Sequence, residues 1–396
     1  MKKFIPLVVV AMHFALAASF AQTKVDTSAY RSRKLKVDEV NLVSGYYQQD
    51  GNNSAVTGGV GTEHLTDLAN TINIKLSRYG RNPNIKHHFG FELGVDTYTS
   101  ASSDKIDPST ISSASSSDVR IYPSLSWGIE NEAKRTRFDI TASASTEYDY
   151  QSFGGAIGFT KSSADKNLEF NIKAQAFLDT WKVILPIELR NSPQDNHQSS
   201  PRNSFSVFMS LSKIINKNFQ MVFATEPGYQ EGLLATKYQR VYFTDNTLKS
   251  ENLPGSRYKL PLSVRANYFF GDKFIVRSFY RFYTDNWGIR GHSAELELPI
   301  KITPFFSLSP FYRFYAQNQS QYFAPFRQHT LAQTYFTSDY DLSKFDSNFF
   351  GAGLRFAPPK GIFNVSRIKT AEIRYGYYKR TNGLNANILS LAVGFK

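Results

Sequence analysis

The sequence predicts an all-β protein: a single antiparallel up-and-down β-barrel of about sixteen strands that crosses a membrane, preceded by a cleaved signal peptide. Three observations lead to this fold class. Apolar and polar residues alternate along long runs, the runs exceed the usual strand length, and short and long connections alternate. Strands of soluble proteins are mostly about 5–6 residues long, whereas membrane strands need about 9–11. We therefore expect apolar side chains to face lipid and polar side chains to face a lumen.

The N-terminus has the composition of a secretory signal peptide. Lys2 and Lys3 precede an apolar run over 4–18, and a small-x-small cleavage site follows at 19–21. A membrane anchor is the alternative, but the run is short for a spanning helix. The domain prediction is a signal peptide over 1–21, a short periplasmic segment over 22–36 and an outer-membrane barrel over 37–396.

The stretch RFDITASASTEY illustrates how each strand is predicted. Phe138, Ile140, Ala142 and Ala144 alternate with polar residues, and this period of two is typical of a strand with one apolar face. In chain order, the predicted strands are 37–48, 65–78, 87–99, 118–130, 137–148, 153–162, 168–181, 204–213, 219–227, 257–270, 273–287, 292–302, 305–318, 347–358, 370–380 and 385–396.

The connections predict which end of the barrel is which. Even-numbered connections up to the twelfth are tight, whereas long loops are predicted at 49–62, 100–117, 182–203, 229–256 and 318–345. Outer-membrane barrels have short periplasmic turns and long external loops, so both termini would lie in the periplasm. The segment VTGGVGTE within the first hairpin lacks the lysine and helix of a phosphate-binding loop, and we interpret its glycines as turn residues.

Composition excludes several classes of function. The chain has no cysteine, so disulfides and Cys-ligated metals are absent, and its charge of +13 is dispersed instead of forming a basic block. We predict no cofactor, no metal site and no nucleic-acid partner. We expect no transmembrane helix in the mature chain, because no other run approaches 18 apolar residues.

The residues that could act on a solute are charged side chains with lumen parity. With hairpin centres at GD, DNWGIRG and TP, Arg281 is predicted opposite Glu295, and Glu295 opposite Arg313. The lumen-lining candidates are Lys259, Arg265, Arg277, Arg281, Glu295, Glu297 and Arg313. A basic lining would favour anions. The alternative is a structural ladder in which cross-strand Glu residues neutralise Arg.

An enzymatic hypothesis rests on the stretch DNHQSSPRNS. Its Asn196, His197, Ser199 and Arg202 faintly resemble the catalytic stretch of the outer-membrane phospholipase A family. That family's Tyr-Thr-Gln stretch is absent, and the predicted position is a long loop without an evident group to orient the histidine. We therefore predict no enzymatic activity.

Four segments resemble a widespread family of exported bacterial proteins that is known only as a domain of unknown function. They are YYQQDGNNSAVTGGVGTEHLTD (46–67), LGVDTYTSASSDKID (93–107), SSASSSDVRIYPSLSW (112–127) and GLLATKYQRVYF (232–243). The resemblance covers most of the mature chain. It implies an outer-membrane β-barrel and no particular activity.

Taken together, these patterns indicate a barrel exported to the outer membrane of a Gram-negative bacterium. The leading hypothesis is a passive channel for small polar solutes, with anions favoured by the lining. The alternative is a non-conducting scaffold for a periplasmic or surface protein partner, because the loops 229–256 and 318–345 could fold inward as a plug. About fifteen residues between the cleavage site and the first strand are too few for the plug domain of a TonB-dependent importer. Lipid is the other expected partner.

Overall fold

The computed structural model describes residues 33–99, 117–191 and 198–396. Their strands form a closed antiparallel barrel of 16 strands, as predicted. The barrel begins at Lys36. The predicted signal peptide over 1–21 and most of the segment over 22–36 lie outside the described residues and remain predictions.

The strands follow one another around the barrel in chain order. They are β1 (Lys36–Asp50), β2 (Leu65–Tyr79), β3 (Ile85–Thr99), β4 (Ser117–Asn131), β5 (Thr136–Thr146), β6 (Tyr150–Ser162), β7 (Leu168–Lys182), β8 (Ser199–Asn216), β9 (Phe219–Thr225 and Gly228–Gly232), β10 (Ser256–Phe270), β11 (Phe274–Asp285), β12 (Arg290–Glu297 and Ile300–Lys301), β13 (Phe306–Gln317), β14 (Phe345–Phe356), β15 (Ile368–Arg380) and β16 (Asn385–Phe395). The last strand closes on the first, from Val40 opposite Phe395 to Asp50 opposite Asn385.

Two strands are interrupted at a proline. Pro227 separates the two parts of β9, and Pro299 separates the two parts of β12. Proline has no backbone N–H, so it cannot donate to the ladder of an adjacent strand. The register of β9 against β8 and β10 is the same on both sides of the break. Each interrupted pair of segments therefore acts as one barrel strand.

The connections separate two ends of the barrel, which we call the loop end and the termini end. Connections at the termini end are short except for 357–367, whereas the loop end has the long connections. Two predicted loops are shorter than expected. Pairing with β7 extends β8 back to Ser199, and pairing with β8 and β10 carries β9 on to Gly232, so these loops span 183–198 and 233–255.

The apolar face points outward, as the alternation predicts. Phe138 and Ile140 are 43% and 41% exposed, and Leu125 and Phe153 on neighbouring strands are still more exposed. Large apolar side chains are exposed all around the wall, which fits contact with lipid instead of water. In the described part of the chain, no helix has the length and apolar character needed to cross a membrane.

The loops at the loop end pack on one another into a folded layer, which we call the loop cap. It comprises 51–64, 183–191, 233–255, 286–289 and 318–344. One buried cluster in it contains Leu234, Ala235, Leu253 and Trp287. A second contains Val241, Phe243 and Phe336. Burial of these side chains stabilises the cap by the same hydrophobic effect that stabilises a soluble core.

Arg240 connects its own loop to three other loops of the cap. Its guanidinium donates to the Glu188 carboxylate at 2.8 and 3.2 Å and to the Val56 carbonyl at 2.8 Å, and its own carbonyl accepts from Ser338 Oγ at 2.7 Å. The adjacent Gly58 has φ +87°, and a Cβ there would lie 2.6 Å from the Tyr242 ring. The glycines of VTGGVGTE therefore serve as turn and close-packing residues.

The cap also contacts the inner face of the barrel. Gln317 Nε2 donates to the carbonyls of Asp341 and Ser343 at 2.9 and 2.6 Å. Arg380 forms an ion pair with Asp341. Gln317 and Arg380 both have lumen parity. The segment around Asp341 that they contact therefore lies on the lumen side of the barrel wall.

Candidate functional site: the charged lumen wall

The seven charged candidates lie on four neighbouring strands, with the parity opposite to that of the exposed apolar residues. Lys259 and Arg265 are on β10, Arg277 and Arg281 on β11, Glu295 and Glu297 on β12, and Arg313 on β13. Their outward neighbours include Leu260, Tyr280, Leu296 and Tyr312, which are each at least 40% exposed. Period-2 geometry places the two sets on opposite faces of the sheet.

One predicted pairing is wrong and the other is right. Arg281 lies opposite Ser293, not Glu295, whereas Glu295 does lie opposite Arg313. The error comes from the β11–β12 turn. Trp287 is buried in the cap, and the Asp285 carboxylate accepts from Trp287 N and Ile289 N, which moves the hairpin centre by one residue. A shift of the centre by one residue changes the cross-strand partner by two.

Only part of this positive charge is neutralised. Arg277 Nη1 is 3.4 Å from Glu297, and Glu297 also contacts Arg374 at 2.9 Å. Among the described residues, no carboxylate lies within 4.0 Å of Lys259, Arg265, Arg281 or Arg313. The structural-ladder interpretation therefore applies to Arg277 and not to these four.

Aromatic rings, instead of carboxylates, support two of the unpaired arginines. The Arg265 guanidinium lies 5.2 Å from the centre of the Phe279 ring, and that of Arg313 lies 4.9 Å from the Phe349 ring. A guanidinium over an aromatic face keeps its charge while losing side-chain freedom. Such arginines keep N–H donors available for an anion.

Further lumen charges were missed at the sequence level although parity could have found them. Arg374 and Glu372 on β15 have lumen parity and form an ion pair at 3.2 Å. On β10, Arg257 pairs with the fully buried Asp285 carboxylate and packs over Trp287 at 4.3 Å. The two residues that contact Arg257 lie on a neighbouring strand and in a turn. Its role could therefore be recognised only from the three-dimensional structure, not from the sequence pattern.

The opposite side of the lumen has a different charge. In a ring of 16 strands, those eight positions apart face each other, so β4 faces β12. Lumen-parity acids on β2 to β5 are Asp67, Glu92, Asp96, Asp118, Glu130 and Asp139, and the bases are Lys75, Lys86, Arg120 and Arg137. On β10 to β15 the bases are Arg257, Lys259, Arg265, Arg277, Arg281, Lys301, Arg313, Arg355, Arg374 and Arg380, and the acids are Asp285, Glu295, Glu297 and Glu372. A cationic wall thus faces a weakly acidic one.

Carboxyl groups in the cap experience burial and mutual repulsion. Burial raises the pKa of Glu251 to about 8, with a further contribution from Asp339. Burial and the charges of Asp341 and Asp339 raise the pKa of Glu63 to about 7. The pKa of Asp339 is also raised, first by burial and then by Asp341. Protonation of these groups relieves repulsion inside the cap.

One other set of polar residues lies at the loop end. The carboxylates of Asp118, Glu147 and Asp149 come within 4.8 Å of one another. Tyr98 Oη donates to Glu147 at 2.6 Å, and Trp181 Nε1 donates to Asp149 at 3.3 Å. Tyr148 N donates to Asp118 at 3.2 Å, so protein donors bind all three acids.

The stretch considered for hydrolase chemistry is placed differently from the prediction. Ser199 and Arg202 lie in β8, not in a loop, because they pair with Lys182 and Asp179 of β7. The Arg202 guanidinium packs 5.2 Å from the Trp181 ring. His197 lies outside the described residues, so the proposed pair with Ser199 is not tested.

Comparison with known families identifies the chain. Residues 94–390 match the family described as "Protein of unknown function (DUF3570)". The chain belongs to this family. The resemblance found in the loop segments is thereby confirmed. No curated protein matches the sequence.

Solved structures with a similar fold include several outer-membrane proteins. One is described as "Bacterial polysaccharide outer membrane secretin", at 10% identity and TM-score 0.44, with 90% of this chain and 98% of that chain covered. Another is OccAB1 of Acinetobacter baumannii, at 9% identity and TM-score 0.42, with 94% and 99% covered. A third is a variant of the ferric enterobactin receptor PfeA of Pseudomonas aeruginosa, at 9% identity and TM-score 0.46, with 86% and 53% covered. The chain therefore spans about half the length of that receptor.

Proposed function

We propose that the protein is a passive channel for small polar solutes in the outer membrane of a Gram-negative bacterium, with a preference for anions. The observation that carries this proposal is the cationic lumen wall with Lys259, Arg265, Arg281 and Arg313 unpaired among the described residues. Barrels of 16 strands are wide enough to enclose an aqueous lumen. Rings and rows of Arg or Lys favour anions in such pores.

The orientation follows from the connections. The loop end would face the outside of the cell and the termini end the periplasm, because outer-membrane barrels have long external loops and short periplasmic turns. Lipid is then the partner of the apolar outer wall. The channel needs no cofactor and no metal, and we assign it no enzymatic activity; a Ser199→Ala variant with altered lipid hydrolysis would contradict that assignment.

The test is single-channel conductance of the refolded mature chain in a planar bilayer with a gradient of KCl. We expect steady conductance and a reversal potential that reports chloride preference. Combined replacement of Lys259, Arg281 and Arg313 by Gln should move the reversal potential towards cation preference. Replacement of Lys134 by Gln, in a turn at the termini end, is the control. A folded protein that stays electrically silent even after removal of 318–344 would contradict the channel proposal.

The loop cap supports a second candidate. A cap with two buried clusters, attached to the inner wall through Gln317 and Arg380, fits a non-conducting barrel that anchors a periplasmic or surface protein. Silence that persists after removal of 318–344 would favour this scaffold. Current that appears only after the removal would identify the cap as the barrier in a channel.

A further inference from the structure

A row of hydroxyl groups lies between two arginines on the inner wall. Backbone pairing aligns Arg281, Ser293, Tyr315, Ser347 and Arg380 across β11 to β15. All five have lumen parity, so their side chains point inward from one continuous line across the sheet. Arg281 is exposed to the lumen, and no described carboxylate lies within 4.0 Å of it.

The other end of the row is held rigidly. The Arg380 side chain packs over the Phe345 ring at 4.5 Å, and its Nε donates to Tyr378 Oη at 2.8 Å. Tyr315 Oη donates to Gln317 at 2.7 Å, and its ring fills the space that a Cβ at Gly291 would need. The row is therefore preorganised, which lowers the entropic cost of binding a ligand.

One oxyanion already binds at this end. The Asp341 carboxylate, delivered by the cap, pairs with Arg380, and its own side chain remains 65% exposed. The Asp341 carbonyl accepts from Gln317 Nε2, so two contacts hold this cap segment against the row. The chain thus shows, with its own carboxylate, that Arg380 accepts an oxyanion.

We propose that this row is an oxyanion-binding site for the solute, with Arg281 and Arg380 as its charged ligands and with Asp341 as a tethered competitor at Arg380. A guanidinium binds a carboxylate or phosphate through two parallel N–H donors. The substrate class is a small organic carboxylate or a phosphate. This inference rests on the proposed channel and names what it would carry.

The test uses two probes, sodium malonate for the carboxylate class and inorganic phosphate for the phosphate class. Each is added to the wild-type channel in KCl, and the reduction in current is followed against concentration. Equilibrium dialysis of labelled malonate and phosphate with the refolded protein in detergent measures binding without conduction.

Substitutions at two positions, Arg281 and Asp341, should change the affinity in opposite directions. Arg281→Gln should weaken binding about tenfold, as expected for loss of a charged hydrogen-bonding group, and Arg281→Lys should retain only part of the affinity because it loses the bidentate geometry. Asp341→Asn should strengthen binding, on the order of threefold, because a competing charge is removed. A purely structural role of Asp341 would not produce tighter binding. Lys134→Gln is the control.

The outcomes separate this inference from the channel proposal. Block or binding by one probe identifies the solute class, provided the two variants shift affinity as stated. A conducting channel that neither probe blocks or binds overturns the oxyanion site and leaves the channel. A protein that stays silent after removal of 318–344 but still binds a probe overturns the channel and leaves the site. Binding that Asp341→Asn weakens would overturn the competitor role.

Discussion

Glu251 illustrates how one residue can set the stability of the cap. Its side chain is 2% exposed and accepts hydrogen bonds from Thr337 Oγ1 and Thr236 N, both at 2.5 Å. Burial raises its pKa to about 8, compared with 4.5 for a free glutamate. The folded cap therefore holds this proton more tightly than the unfolded loop. The contribution of this bound proton to the stability of the folded cap is fully present below about pH 4.5 and is lost as the pH rises through about 8.

The first prediction is that Glu251→Gln removes this pH dependence. Glutamine imitates the protonated acid, so the variant should keep a closed cap at pH 9 while the wild type loosens between pH 6 and 9. The measurement is acrylamide quenching of Trp287 after the other two tryptophans are replaced by Phe. Glu132→Gln, at the termini end, should behave as the wild type. Equal quenching of the wild type at pH 6 and 9 would contradict the prediction.

At the scale of the strand, a glycine can be required where a neighbouring strand leaves no space for a Cβ atom. A Cβ at Gly351 would lie 2.0 Å from the Tyr375 carbonyl oxygen and 2.7 Å from Gly376 Cα. The obstructing atoms are backbone, so the strands themselves would have to move. Gly155, in β6, has no such constraint, because nothing lies within 4 Å of a Cβ built there.

The second prediction compares these two positions. Gly351→Ala should lower the free energy of unfolding by about 1–3 kcal/mol, the usual cost of overpacking. Gly155→Ala should change it by no more than about 0.5 kcal/mol. Urea unfolding of the refolded barrel in lipid, followed by tryptophan fluorescence, measures both. Equal midpoints for the two variants would show that the β14–β15 contact relaxes without cost.

Strands were predictable from the sequence because their signal is local. The alternation around Phe138 and Ile140 needs only twelve consecutive residues to predict a strand and its outward face. The turn at Trp287 was not predictable in the same way. Its position depends on burial beside Leu234 and Leu253, which precede it in the chain by more than a full strand.

For the candidate site, the sequence predicted which face of the sheet the charged residues occupy but not which residues they contact. Parity placed Arg281 and Arg313 on the lumen face, but period-2 patterns contain no information on whether an arginine finds a carboxylate. The support of Arg313 by Phe349 and the pairing of Arg380 with Asp341 join residues from different strands and loops. Such contacts are set by three-dimensional packing, which no local pattern encodes.

At the scale of the whole molecule, the cap and the wall form one system. Asp341 and Gln317 connect the cap to the cationic wall, so any displacement of the cap alters both the width and the charge of the entrance. The carboxyl groups of Glu63, Asp339 and Glu251 reinforce this coupling, because their ionisation places repelling charges in the cap. A low pH should therefore favour the state in which the cap lies against the wall.

The last prediction concerns the removal of the cap segment 318–344. Gln317 and Phe345 lie directly opposite each other at the ends of β13 and β14, so a four-residue Asn/Gly turn can join them without straining the sheet. The barrel should still fold, and its single-channel conductance should rise several-fold, because the segment that contacts Gln317 and Arg380 inside the wall is gone. Heat-dependent migration on a denaturing gel checks folding, and planar-bilayer recording measures conductance. The matched control exchanges residues 132–135, a turn at the termini end, for the same Asn/Gly turn and should leave conductance unchanged. A folded deletion variant with wild-type conductance would mean that the cap does not limit the path, and the barrier would then have to lie deeper in the lumen.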